Sequence, residues 1–154
     1  MTDDMNAAEY AAAIAGARQR LAGFADGCSD QDWSASPLAG DPRPVGVVVD
    51  HVAHSYEYIA GWLRRILDGE SVQVTAKIVD GLNADHAGEA AQLSRAEVID
   101  HLNRSGDALI ALLAGLDAGQ LDADEGRVRR FAQISIRHAD DHRTEIEAAL
   151  GRPG

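Results

Sequence analysis

Residues 45–67 read VGVVVDHVAHSYEYIAGWLRRIL, and this stretch decides the fold. Its large apolar side chains recur every three or four residues, a spacing that places them along one face of an α-helix. The members of this stripe are Val48, Val52, Tyr56, Ile59, Leu63 and Ile66. Asp68 and Gly69 follow and predict the end of the helix. A helix with one long apolar face must bury it against other helices, so the stretch indicates a helical bundle.

Two more amphipathic helices are predicted on either side of this stretch. The first covers residues 6–24, where apolar side chains again recur at steps of three and four. The other begins at Ser94, because Glu97 three residues later completes a capping box. We expect this helix to end near Gly119, since glycine commonly terminates helices.

A fourth helix is predicted to begin at Asp122, which has the spacing of a second capping box with Glu125, and to extend to Leu150. Residues 27–44 are rich in proline and predict a long loop, which Trp33 is expected to hold against the core. The secondary structure of residues 72–91 is ambiguous, because the apolar spacing suggests a short helix but glycines interrupt it. The sequence therefore predicts an all-α protein. We expect an up-down four-helix bundle, built as a single domain over all 154 residues, with a long loop between its first two helices.

Composition narrows the function classes. The chain has 14 Lys and Arg against 25 Asp and Glu, a net charge of −11. Such acidity repels nucleic-acid phosphates and anionic membrane surfaces, so we expect a small-molecule substrate, no nucleic acid and no membrane partner. The sequence shows neither a signal peptide nor an apolar run of membrane-spanning length, which predicts a cytoplasmic location. The lone Cys28 can form neither an internal disulfide nor a multi-cysteine metal site.

Two histidines on the last predicted helix are the first candidate metal ligands. The buried face predicted for that helix comprises Phe131, Ile134, Ile146 and Ala149. His138 and His142 lie within about 20° of Phe131 on the helical wheel, so both imidazoles are expected to point into the bundle. Histidines at i and i+4 can bind one divalent cation, which would compensate for burying them. The alternative is a pair of core histidines that hydrogen-bond to protein groups.

The helix over residues 45–67 supplies a third ligand. Catalytic metal ions usually have three protein ligands and one open position. His51 lies about 90° from the centre of the apolar stripe, on the same flank as Ser55, Tyr58 and Trp62, and is predicted as the third ligand. His54 lies about 150° from the centre and is interpreted as a surface or outer-shell residue.

The remaining polar candidates surround this set. Glu145 is predicted to face inward, where it could orient an imidazole, ligate the metal, transfer a proton or serve as a buried polar partner. Asp141 and Tyr58 are further candidates for orienting a ligand or transferring a proton. His101 is interpreted as a boundary residue. His86 is expected to be exposed, with the mouth of the site as an alternative location.

Two segments resemble the DinB-like superfamily: residues 51–57 (HVAHSYE) and residues 136–143 (IRHADDHR). Segments 33–46 and 82–84 are also similar, and the resemblance covers about residues 6–150. This group includes the bacillithiol and mycothiol transferases and the N-terminal domain of mycothiol-dependent maleylpyruvate isomerase.

The resemblance implies a four-helix bundle, often dimeric, with a divalent metal held by three histidines that correspond to His51, His138 and His142. The metal is commonly zinc or nickel, and members of known activity use a low-molecular-weight thiol against an electrophile. This chain has Asp141 where the family often has another histidine, and Glu145 where a polar amide is frequent. Both changes add negative charge, which favours a water-derived nucleophile over an anionic thiol.

Two function hypotheses follow from the sequence. The first is a metal-dependent enzyme, of thiol S-transferase or hydrolase type, that activates a small thiol or water for attack on a small electrophile. The second is a non-catalytic bundle that is stabilised by metal, binds a ligand or serves as a dimerisation module. The resemblance implies a homodimer in either case, and the alanine-rich faces of the first and third predicted helices permit one.

Overall fold

A computed structural model describes residues 5–151 of the protein. In chain order, its helices are α1 (Ala7–Gly27), α2 (Asp30–Ser34), α3 (Val45–Leu67), α4 (Ala76–Ala90), α5 (Arg95–Ala114), α6 (Ala118–Leu121) and α7 (Ala123–Ala149). No strand occurs in this part of the chain, so the predicted all-α helical bundle is confirmed. None of the helices within residues 5–151 is both long enough and apolar enough to cross a membrane.

Four long helices form the bundle. Both α1 and α3 pack against α5 and α7. Helices α1 and α7 run in the same direction, because Arg129 near the start of α7 donates a 2.7 Å hydrogen bond to the Met5 carbonyl just before α1. Helix α5 starts beside the end of α1, where Arg95 donates to the carbonyl of Cys28. Asp50, near the start of α3, meets the first turns of α5, so α3 and α5 also run in the same direction. The four long helices therefore do not alternate strictly as the predicted up-down order requires, because the connection between α3 and α5 contains α4 and returns to the starting end of the bundle.

The centre of the bundle is apolar, and α3 is the most deeply buried helix. Every position of the predicted stripe on α3 is buried, and the observed bounds of α3 agree with the predicted ones. Helix α1 contributes Tyr10, Ile14 and Leu21, which are fully buried, and α5 contributes Leu102 and Leu109. Burying such side chains contributes about 1.5–3 kcal/mol each, which makes this core the main source of stability.

Several predicted boundaries were wrong. Helix α5 ends at Ala114 instead of near Gly119, because the next helix, α6, has its own capping box formed by Asp117 and Gln120. The predicted capping box of Asp122 and Glu125 does not form. The chain instead turns through left-handed backbone at residues 124–126, where Gly126 has φ 80°.

The predicted loop contains the short helix α2. Ser29 caps this helix, and Trp33 packs against the first turn of α3. A Cβ atom at Gly46 would lie 2.7 Å from the Trp33 ring, so only glycine permits this contact. Trp33 therefore holds the loop against α3. The ambiguous residues 72–91 contain the regular helix α4, which buries only His86 and Ala90.

Candidate metal centre

Three imidazoles meet between α3 and α7. The Nε2 atom of His138 lies 3.0 Å from Nε2 of His51 and 2.9 Å from Nε2 of His142. One ring nitrogen from each of these residues lies within 4.8 Å of the other two, a grouping that can hold a metal ion. The structure therefore brings together the three histidines that the sequence analysis selected.

The orientation of α7 differs from the prediction. Its buried positions are Val128, Phe131, Ala132, Ser135, Ala139 and Ile146, whereas Ile134 is 42% exposed and Ala149 is exposed. On a helical wheel, His138 and His142 lie about 80° and about 40° from the centre of that face. They occupy its edge and are half-buried, while His51 on α3 is buried. The cluster is therefore closed on the α3 side and more open on the α7 side.

Burial keeps the three imidazoles neutral. It lowers the pKa of His51 to about 2 and that of His138 to about 4, and it also lowers the pKa of His142. Repulsion among the rings acts in the same direction. A neutral imidazole retains a nitrogen lone pair, which is the form that binds metal ions.

Ser55 determines the tautomer of His138. The Ser55 hydroxyl donates a 2.7 Å hydrogen bond to the Val52 carbonyl one turn earlier. Because the hydroxyl proton is used in that bond, the Ser55 oxygen can only accept from His138. The hydrogen bond to His138 Nδ1, 3.0 Å away, is therefore donated by that nitrogen. With its proton on Nδ1, His138 presents the Nε2 lone pair to the cluster. Hydrogen bonding of the outer nitrogen is typical of metal-bound histidine, so the donor set is compatible with a divalent metal ion.

An ion pair that was not predicted from the sequence lies near the cluster. Arg43 donates to both carboxylate oxygens of Asp41, with Nε 3.0 Å from Oδ1 and Nη2 2.8 Å from Oδ2, and both residues are half-buried. The Arg43 charge is one of the causes that lower the pKa of all three clustered histidines. The available signal was a charged pair among the prolines just before α3, but spacing alone gave no reason to place it at the site.

The predicted orienting residues are less buried than expected. Glu145 was predicted to face inward, but its side chain is 59% exposed, with Oε2 3.9 Å from His142 Nδ1. Asp141 is exposed too, and its charge raises the pKa of His142 without a hydrogen bond to it. Both differences follow from the rotation of α7 about its axis. Tyr58 is half-buried, and its ring packs between those of His54 and Trp62.

A second polar cluster surrounds Asp50, which is only 2% exposed. His86 was predicted to be exposed but is buried, and its Nε2 lies 2.7 Å from Asp50 Oδ2. His101 occupies the predicted boundary position, with Nδ1 2.7 Å from Asp50 Oδ1 and its other nitrogen against Glu57. The two histidines satisfy a carboxylate that would otherwise be costly to bury. The missed signal was an acidic residue within the apolar run VVVDHV.

His54 was expected to point largely to solvent, but it is half-buried. Its ring stacks on that of His86, with 4.8 Å between centroids and 15° between planes. Helix α4 provides this contact. The sequence pattern of residues 72–91 does not define α4, so the partner of His54 could not be predicted from it.

Fold and site together define a class of protein: an all-α helical bundle with a three-histidine cluster compatible with a divalent metal ion. The family model of the DinB superfamily matches residues 13–146, and the chain belongs to this superfamily. No curated protein and no solved structure gives a significant match.

Proposed function

We propose that the protein is a divalent-metal-dependent enzyme whose ion is held by His51, His138 and His142. The observation that carries this proposal is the convergence of three neutral imidazole nitrogens from two helices. A zinc or nickel ion held by neutral ligands keeps its full charge and lowers the pKa of a bound thiol or water. The reaction we infer is attack by a small thiol or by water on a small electrophile, of thiol S-transferase or hydrolase type.

The surrounding side chains support access from one side. His138 and His142 are half-buried, so substrate would approach over α7, while buried His51 closes the opposite side. Glu145 Oε2 is 3.9 Å from His142 Nδ1, and a small side-chain rotation would let it accept that proton and orient the ring. As an exposed carboxylate it can also pass protons to solvent. Tyr58 stays protonated at neutral pH, because burial raises its pKa.

Metal content tests the ligand assignment directly. The untagged wild-type protein should contain one equivalent of zinc or nickel by elemental analysis, and His138→Ala should lose it, since two imidazoles bind much more weakly than three. His54→Ala is the matched control, because it removes a half-buried imidazole near the site that is not a proposed ligand. Unchanged metal content in His138→Ala would mean that the assignment is wrong.

A turnover screen separates the two hypotheses about activity. The metal-loaded protein would be mixed with electrophiles in the presence and absence of low-molecular-weight thiols. Consumption of the electrophile only in the presence of thiol supports a transferase. Consumption of the electrophile without thiol supports a hydrolase. Stoichiometric metal without turnover supports the alternative, a metal-stabilised or ligand-binding bundle.

We also propose a homodimer. The neighbouring helices α1 and α5 expose small side chains, among them Ala8 and Ala12 on α1 and Ala108 and Ala111 on α5. Small residues let helices from two copies approach closely. The mass from light scattering should be twice that of the 16.3 kDa chain, and a mass of one chain would contradict the proposal.

A further inference from the structure

Three buried imidazole nitrogens within residues 5–151 lack a hydrogen-bond partner: Nδ1 of His51, Nδ1 of His86 on α4 and Nδ1 of His142. The side chains of His51 and His86 are at least nine-tenths buried, with exposed fractions of 5% and 4%, whereas that of His142 is 16% exposed. Leaving a buried polar nitrogen unsatisfied costs about 1–3 kcal/mol, so such atoms usually have a partner.

The Nδ1 atoms of His51 and His86 have complementary chemistry. When Nε2 of His51 is a metal ligand, the ring proton must lie on Nδ1, which makes that atom a donor. His86 is fixed the opposite way: Asp50 can only accept, so His86 Nε2 donates to it at 2.7 Å. In the neutral form of His86, Nδ1 then carries a lone pair and is an acceptor. Asp50 sets this tautomer and is itself buried.

The spacing of the rings indicates how they are linked. The centroids of His51 and His86 are 6.2 Å apart. A direct N–H···N bond requires centroids about 5 Å apart, since the nitrogens must approach to about 3 Å. The observed separation suits one bridging water, which receives the His51 proton and donates to His86. His54 does not compete for this nitrogen, because its ring lies flat on the face of His86.

We propose that His86 is a positioning residue of the metal centre. Its Nδ1 accepts a hydrogen bond from one water molecule, which in turn accepts one from Nδ1–H of His51, and Asp50 fixes the tautomer of His86. The chain Asp50–His86–water–His51 holds the His51 ring in orientation and strengthens its Nε2 as a ligand. This inference rests on the three-histidine metal site proposed above.

Two substitutions of His86 separate the positioning role from a structural one. Asn places its amide oxygen near the position of Nδ1, so His86→Asn keeps the acceptor for the water and loses the donor to Asp50. Gln reaches further and places its NH₂ near the position of Nε2, so His86→Gln keeps the donor to Asp50 and loses the acceptor. If His86 only satisfied Asp50, Gln would be the better replacement.

The measurement is zinc affinity by competition with a chelator, with thermal melts to establish that each variant is folded. We expect His86→Gln to weaken zinc binding by about 10- to 100-fold, the range found when such outer partners are removed, and His86→Asn to retain most of the affinity. The inference is overturned if His86→Asn binds zinc more weakly than His86→Gln, or if His86→Gln binds zinc as tightly as the wild type. A wild-type protein that binds no metal overturns the proposed function and this inference with it. If the wild type binds zinc but the two variants do not show the expected ranking of affinities, only the inference is overturned.

A spectroscopic readout on the zinc-loaded protein adds an independent criterion. Imidazole NMR should show a His51 Nδ1 proton protected from exchange in the wild type and in His86→Asn. In His86→Gln the proton should exchange faster, because its acceptor is gone. Equal exchange in all three proteins contradicts the proposed link.

Discussion

At the scale of single residues, Ser55 has the clearest influence on the site. Its hydroxyl connects the α3 backbone to Nδ1 of His138 and thereby selects the nitrogen that faces the cluster. Sequence spacing placed Ser55 on the correct flank of its helix but could not reveal this bond. The bond depends on α7 lying next to α3, and on the tautomer of a residue 83 positions away.

Ser55→Ala should weaken metal binding without unfolding the protein. The substitution removes the acceptor of the His138 Nδ1 proton, and loss of such a partner typically costs about 10- to 100-fold in affinity. Ser135→Ala is the matched control, since Ser135 is also a buried helical serine whose hydroxyl donates to its own helix, at the Phe131 carbonyl. Chelator competition on both variants provides the measurement. Equal affinities would show that Ser55 does not orient His138.

The candidate site was predictable only in part. His51, His138 and His142 could be selected because helical periodicity fixes their facing within each helix, and an error of about 60° in the orientation of α7 still left them near the interior. Asp50, His86 and Arg43 could not be selected in this way. The contacts of Asp50 and His86 join α3 to α4 and α5, and Arg43 belongs to a loop that lies against the cluster, so all three depend on how the elements pack together.

At the scale of elements, α3 and α4 show where sequence signals are sufficient. The continuous apolar stripe and the Asp68–Gly69 stop fixed the bounds of α3, because burial of that stripe dominates its energetics. Helix α4 has no comparable stripe, and its buried contacts are limited to His86 and Ala90. The hydrogen bond from His86 to Asp50 attaches α4 to α3, and no local pattern encodes it.

The Asp50 cluster predicts a pH-dependent contribution to stability. Burial opposes the charge of Asp50, but hydrogen bonds from His101 and His86 outweigh it and lower the pKa to about 2. This stabilisation is present above the unfolded pKa of about 3.9 and is lost as the pH falls through the folded value. The hydrogen bond to Asp50 raises the pKa of His101. The stability that protonated His101 adds through this hydrogen bond is fully present below about pH 6.5. It is lost as the pH rises through the pKa of His101 in the folded protein.

His101→Ala should therefore destabilise the metal-free protein most between about pH 4 and 6.5, where both contributions are present. A lost hydrogen bond to a charged group costs about 1.5–3 kcal/mol, and we expect a smaller loss at about pH 8.5. Urea unfolding of wild type and variant at both pH values gives the comparison. Asn103→Ala serves as control, because it alters an exposed side chain on the same helix. A pH-independent loss would mean that the ionic form of His101 does not matter.

At the scale of the whole molecule, the three histidines join two helices that are distant in sequence. His51 belongs to α3, whereas His138 and His142 belong to α7, which also packs against α1. An ion bound by all three therefore cross-links the bundle in its folded state. The net charge of −11 also favours accumulation of cations near the surface, although salt screens this attraction.

Zinc should consequently raise the stability of the whole chain. A ligand that binds only the folded state adds about 2.7 kcal/mol to the free energy of unfolding when its free concentration is 100 times the Kd. Urea unfolding with buffered zinc should show this increase, and a chelator should reverse it. In His142→Ala the increase should disappear, since one ligand from α7 is missing. Magnesium is the control ion, because it prefers oxygen ligands and should leave the wild type unchanged. An equal response to both ions would indicate binding to surface carboxylates instead of the histidine cluster.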